Sequence, residues 1–170
     1  EPERVERMAG LLADWRKQLD VQMPGPNPQF VPDAQAADGT ITLPAKTAVL
    51  HGVMVRYEPL PHKNTIGFWV RADDWISWSF RVSTPGEFQI EILQGCGTGS
   101  GGSQVEFSVA GESVVATVEE TGGFQKFVAR AIGKIKIARP GDYTLSVKPK
   151  TKPGAAVMDL RQVRLLPIDQ

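Results

Sequence analysis

The sequence predicts an antiparallel β-sandwich or barrel preceded by one α-helix and a proline-rich linker. Three observations predict this fold class. Residues 74–82 alternate, with Asp74, Ile76, Trp78, Phe80 and Val82 on one side of an extended chain and Trp75, Ser77, Ser79 and Arg81 on the other. That period of two is the pattern of a half-buried strand. From Ile41 onward, short β-prone runs are separated by turn signals such as Pro85-Gly86, Gly95–Gly102, Ala110-Gly111, Thr121–Gly123 and Pro140-Gly141, the punctuation of an all-β domain. Finally, 17 glycines and 13 prolines in 170 residues suit short strands joined by turns better than helices. No stretch alternates strand with helix, which argues against a parallel α/β sheet.

Residues 2–20 form the predicted helix. Pro2 suits the first turn, Glu3 and Glu6 lie at the positive end of the dipole, and Arg16 and Lys17 lie near the other end. Val5, Met8, Leu12, Trp15 and Leu19 recur at spacings of three and four as one apolar stripe, which predicts docking on a neighbouring surface. Prolines 24, 26, 28 and 32 force an extended, semi-rigid segment. The run Ala34–Gly39 continues it as linker. Strands are predicted near 41–43, 47–57, 66–71, 74–83, 87–94, 104–110, 113–119, 124–132, 134–138, 142–148 and 158–166. Pro85-Gly86 predicts a hairpin turn between two of them. The domain division is thus helix 1–22, linker 23–39 and β-module 40–170.

Lysine plus arginine and aspartate plus glutamate balance at 19 each, so no global field favours nucleic acid or an anionic membrane. No apolar run reaches the roughly 18–20 residues of a membrane helix. No signal peptide is visible, which predicts a processed protein or a fragment. A single cysteine, Cys96, excludes an internal disulfide and a multi-cysteine zinc site.

A sugar site needs a flat apolar ring and a few donors and acceptors. Tyr57, Trp69, Trp75 and Phe124 are the candidate platforms, with His51, His62 and Asn64 near them in sequence. Trp78 and Phe80 alternate with Ile76 and Val82 and are predicted core. His51 and His62 lie eleven positions apart without a third ligand at a recognised spacing, so no metal site is predicted. Asp73-Asp74 reads as a solvated turn before a strand. The segment Gln94–Ser103 lacks a Gly-Lys-Ser/Thr ending and is followed by strands. It reads as a mobile loop, not a phosphate loop. Nothing local lowers the pKa of Cys96, and no acid/base or nucleophile set assembles.

Two resemblances cover different parts of the chain. Ala13-Asp14-Trp15-Arg16-Lys17 followed by Met23-Pro24-Gly25-Pro26-Asn27-Pro28 resembles the C-terminal tail of type I, formylglycine-dependent sulfatases of the arylsulfatase A and N-acetylgalactosamine-6-sulfatase type. The likeness implies that helix 1–22 ends an upstream sulfatase-like catalytic domain. The sulfatase nucleophile motif is absent here, because Cys96 is followed by Gly97-Thr98-Gly99. The resemblance therefore implies a noncatalytic C-terminal part of a secreted or periplasmic enzyme.

Residues 41–167 carry, in order, Thr65–Trp69, Asp74–Trp78, Pro85–Phe88, Thr121–Phe127, Pro140–Leu145 and Met158–Arg161. That order is similar to the family-6 carbohydrate-binding modules and their relatives, which are jelly-roll sandwiches of the galactose-binding-like fold. The resemblance implies an end-of-sandwich site in which two aromatics clamp a sugar. Phe68 or Trp69 matches the first aromatic, and Phe124 stands where the second is usually tryptophan. Trp69, Phe124, Tyr57, Asn64 and His62 are the expected glycan-binding residues. The family's asparagine is replaced within Ala155-Ala156-Val157-Met158, so weak binding is expected, of an oligosaccharide or sulfated glycan. The family's structural calcium uses an acidic residue near Leu43-Pro44-Ala45-Lys46, where lysine stands here. No cofactor is expected, with calcium left open. The alternative is a structural domain that packs on the parent catalytic domain and binds no sugar.

Overall fold

The computed structural model describes residues 2–18 and 32–168. The chain divides into two compact units, Glu1–Val31 and Pro32–Gln170. In the first unit, helix α1 spans Pro2–Gln18. Val5, Met8, Leu12 and Trp15 on its predicted stripe are exposed, as is Leu11. Leu19 and the proline-rich run through residue 31 lie outside the described residues.

The second unit is a sandwich of twelve strands. In chain order they are β1 (Asp33–Ala34), β2 (Ile41–Pro44), β3 (Val49–His51), β4 (Arg56–Glu58), β5 (Thr65–Gly67), β6 (Trp75–Val82), β7 (Gly86–Cys96), β8 (Gln104–Val109), β9 (Glu112–Thr117), β10 (Gly123–Ile137), β11 (Gly141–Pro149) and β12 (Asp159–Pro167). One sheet runs β1-β6-β11-β8-β9, with β3 also on β6. The other runs β10-β7-β12-β5-β4, with β2 also on β12. The pairings are antiparallel except β1 with β6.

The alternation read from the sequence decides which faces meet. Ile76, Trp78, Phe80 and Val82 of β6, with Leu145 and Val147 of β11 and Phe107 of β8, point inward from one sheet. Phe88, Ile90 and Ile92 of β7, with Leu160, Val163 and Leu165 of β12, point inward from the other, and all of these side chains are essentially inaccessible. Each contributes roughly 1.5–3 kcal/mol when fully buried, which drives closure of the two layers.

Several expectations are corrected. Pro85-Gly86 does not make a hairpin, because β6 and β7 lie in different sheets and their apolar faces oppose each other across the core. The predicted strand 47–57 is split between sheets, β3 on β6 and β4 on β5. At the break, Gly52 has φ +140° and its Cα lies so close to the Asp74 carboxylate that a Cβ would stand 2.1 Å from Oδ1. Asp74 is therefore not a solvated turn residue. It is 1 % exposed and accepts from the amides of Val53, Met54 and Val55 at 2.8–2.9 Å.

The predicted end of a strand at Gly133 is a one-residue bulge within β10, since Ala131 pairs with Glu91 and Gly133 with Ile90. The start of the expected 23–39 linker lies outside the described residues, but its end is part of the sandwich. Ala34 pairs with Arg81. Gln35 Oε1 accepts from the amides of Ser83 and Thr84, and its Nε2 donates to the carbonyls of Gly39 and Thr84. The glycine-rich segment after Cys96 is tied down as well. Gly99 N donates to Glu120 Oε1, Gly102 N to the Val118 carbonyl, and Ser100 and Ser103 are buried.

Candidate functional site

A cleft of about 250 Å³ opens among the loops that join the strands of the β10-β7-β12-β5-β4 sheet, lined by Glu58, Lys63, Phe68, Val70, Phe124, Gln125, Ala156 and Asp159. Each wall is placed by a local irregularity of the sheet.

The first wall follows β5. Strand 65–67 stops where Phe68 takes φ +52°, an unusual conformation for a bulky residue. The turn is closed by Val70 N donating to the Phe68 carbonyl at 2.9 Å, and Val157 N donates to the Trp69 carbonyl at 2.8 Å. This turn leaves Phe68 42 % exposed while Trp69 is fully buried. The Trp69 indole donates to the Asp74 carbonyl at 2.9 Å. Trp69 is thus a core residue, which corrects the expectation of an exposed ring there, and the exposed ring of the pair is that of Phe68. The Arg56 guanidinium lies against the Phe68 ring, 3.3 Å from its centroid, a cation–π contact that fixes the ring.

The opposite wall is β10. Gly123 pairs with Cys96 and Val128 with Gln94, so residues 124–127 bulge out of the ladder and carry Phe124 and Gln125 to the cleft. Glycines admit this bulge. A Cβ on Gly95 would stand 2.0 Å from the Phe124 carbonyl oxygen, and one on Gly97 2.7 Å from the Phe124 ring. Either side chain would displace Phe124.

The floor is charged. Lys63 Nζ donates to Glu58 Oε1 at 2.6 Å. Asp159, at the start of β12, is 6 % exposed, and its carboxyl makes no hydrogen bond to another described residue. Burial pushes its pKa up to about 7, aided by the charge of Glu58 and opposed by Lys63. Gly67 makes room for both carboxyls, because a Cβ there would meet Glu58 Oε2 at 2.4 Å and Asp159 Oδ1 at 3.2 Å. A second bulge, in β12 at Arg161, sends that guanidinium to the carbonyls of His62 and Lys63, which holds the loop carrying Lys63.

Of the expected binding residues, Phe124 lines the cleft and Trp69 is buried behind it. Tyr57 and Asn64 are paired through Tyr57 Oη donating to Asn64 Oδ1 at 2.8 Å. With exposed His62 they belong to the surrounding β4–β5 region, outside the lining. Glu58, Lys63, Gln125 and Asp159 line the cleft and are not among the expected binding residues. Ala156 lines the cleft within the segment where the family's asparagine is expected. No carboxylate stands in β2 or the turn after it. Among the described residues no group of three His, Cys, Asp or Glu side chains assembles.

Trp75 is elsewhere, on the outer face of the other sheet. The His51 ring stacks on it at 3.6 Å, and His51 Nε2 is 2.9 Å from Ser77 Oγ. Burial, and then Lys148, hold the His51 pKa below the usual imidazole value. Cys96 is buried, which pushes its thiol pKa up, with Glu120 and Asp159 adding to the effect. That is the opposite of an activated nucleophile.

The sandwich has the fold of the carbohydrate-binding modules. It superimposes on a family-35 module from Clostridium thermocellum with a TM-score of 0.62 at 11% identity, covering 76% of this chain and 98% of that one. The C-terminal family-6 module of LamC, a marine laminarinase from Zobellia galactanivorans, gives 0.59 at 17% identity, covering 75% and 98%. A family-6 module of lichenase 5A from Cellvibrio mixtus, solved with cellotriose, gives 0.57 at 18% identity, covering 75% and 97%. At the level of family, residues 57–166 match a domain of unknown function (DUF5077), and the chain belongs to that family. No curated protein matches the sequence.

Proposed function

We propose that this chain is a noncatalytic carbohydrate-binding module that takes the end of an oligosaccharide into the cleft between Phe68 and Phe124. The observation that carries this reading is the pairing of two partly exposed aromatic rings with polar groups at the cleft, Glu58, Lys63, Gln125 and Asp159. Rings meet the C–H face of a pyranose, and the polar groups meet its hydroxyls. Ala156 offers no side-chain hydrogen bond, and each one forfeited costs roughly 0.5–1.5 kcal/mol, so affinity is expected near millimolar.

The sulfatase-like segments 13–17 and 23–28 support a further part of this proposal. The chain would then be the C-terminal module of a secreted or periplasmic sulfatase, with the catalytic domain upstream and the helix at its end. On this reading the chain itself hydrolyses neither aryl sulfates nor aryl glycosides.

The test is titration of the chain with neutral and sulfated oligosaccharides, followed by amide chemical shifts. Shifts clustered on residues 58–70 and 123–126, and abolished by Phe124→Ala, are the expected result. Shifts confined to the Trp75 face overturn the location. No shift with any saccharide favours a structural domain that packs on its parent.

A further inference from the structure

We infer that the cleft selects uncharged saccharides, with a sugar hydroxyl donating to Asp159, and rejects sulfated and uronic ones. This rests on the cleft being a saccharide site. Asp159 is more than nine-tenths buried, faces the cleft, and has no hydrogen-bond donor among the described residues. Its oxygens are not sealed, since among the described residues Ser103 Oγ is the buried side-chain atom without a partner; they are acceptors open to the cleft with no protein donor. A hydroxyl arriving with the ligand is the missing donor.

The charges set the sign of the selection. Lys63, the cation that lines the cleft, is already committed to Glu58 at 2.6 Å. That pair cancels, and Asp159 is left as the surplus charge. The titratable groups acting on it are Glu58 and Lys63 from β4 and the loop after it, and the buried thiol of Cys96 in β7 is held neutral beside it. Arg56 lies on the Phe68 ring, not in the lining. A sulfate entering here meets a carboxyl and, in the lining, no cation that is not already paired, in a partly desolvated site where like charges repel strongly. Because Asp159 ionises near neutral pH, the rejection strengthens as pH rises from 5.5 to 8.

The experiment titrates the chain with gluco-, galacto-, manno- and xylo-oligosaccharides and their chemically sulfated counterparts at both pH values, read by amide shifts at 58–70 and 123–126. At pH 8 the sulfated form of any sugar that binds is expected to be weaker by roughly tenfold or more, with a smaller gap at pH 5.5. Asp159→Asn should narrow the gap at pH 8 to the gap seen at pH 5.5. Glu58→Gln, which frees Lys63, should raise affinity for the sulfated form. A sulfated sugar that binds at these residues as tightly as its neutral parent overturns the inference and leaves the saccharide reading intact. No binding by any sugar overturns both.

Discussion

Phe68 and Trp69 are adjacent, yet only one can be replaced cheaply. Trp69 is fully buried and hydrogen-bonded to the Asp74 carbonyl, so Trp69→Ala is expected to cost about 3–5 kcal/mol in denaturant unfolding. Phe68→Ala removes a partly exposed ring and is expected to cost under about 1 kcal/mol, while abolishing saccharide shifts. Equal stability losses would show that both rings are core. The sequence located this aromatic pair but not its orientation, because alternation presumes extended backbone and Phe68 leaves it at φ +52°. Asp159 was legible as a matched position, but its isolation was not, since that depends on Glu58 and Lys63 across the sheet. Its folded pKa, about 7, lies above the unfolded value of about 3.9. The folded state therefore holds the extra proton between these values, and stability falls as pH rises through that window. Asp159→Asn is expected to stabilise the chain by roughly 2–4 kcal/mol at pH 8 and to change little at pH 4. A variant no more stable than the parent at pH 8 would show that Asp159 ionises without penalty.

At the scale of elements, Asp74 does the work expected of a strand. Residues 52–55 cross from one sheet to the other, and three of their amides end on this one carboxylate. Burial alone would raise its pKa, but the amides of Val53, Val55 and Met54 together outweigh burial and hold it below the usual carboxylate value. Its contribution is thus present above about pH 3.9 and is lost as pH falls through the lower folded pKa. Asp74→Ala is expected to cost on the order of 3–5 kcal/mol at pH 7, because three donors near the core lose their acceptor. The loss should shrink as pH is lowered through the folded pKa. Urea unfolding at a series of pH values measures both, and a loss independent of pH would assign the effect to packing. The strands themselves were legible from their alternation, as β6, β7, β8 and β12 show. Their assignment to sheets was not. Pro85-Gly86 serves a hairpin or an arch between layers equally well, and the choice depends on which apolar faces finally oppose each other.

For the molecule as a whole, the boundary of the folded module decides how it can be used in isolation. Among the described residues the buried hydrophobic side chains run from Ile41 to Leu165, all within the second unit, Pro32–Gln170. Composition alone placed the module at residue 40, because the prolines and the polar 34–39 run read as linker. That signal missed Gln35, whose side chain binds Ser83 and Thr84 just after β6, and Asp33, whose Oδ2 accepts from Thr47 Oγ1 at 2.6 Å. Two truncations separate the readings. Removing residues 1–31 is expected to leave the free energy of unfolding unchanged within about 0.5 kcal/mol, with a single cooperative transition. Removing residues 1–39 deletes β1 and the Gln35 contacts. At roughly 0.5–1.5 kcal/mol net per hydrogen bond, partly offset by exposure, it is expected to cost about 2–4 kcal/mol. Loss of cooperativity in the shorter deletion would make the helix part of the sandwich's core. Equal stability of the two would return residues 32–39 to the linker.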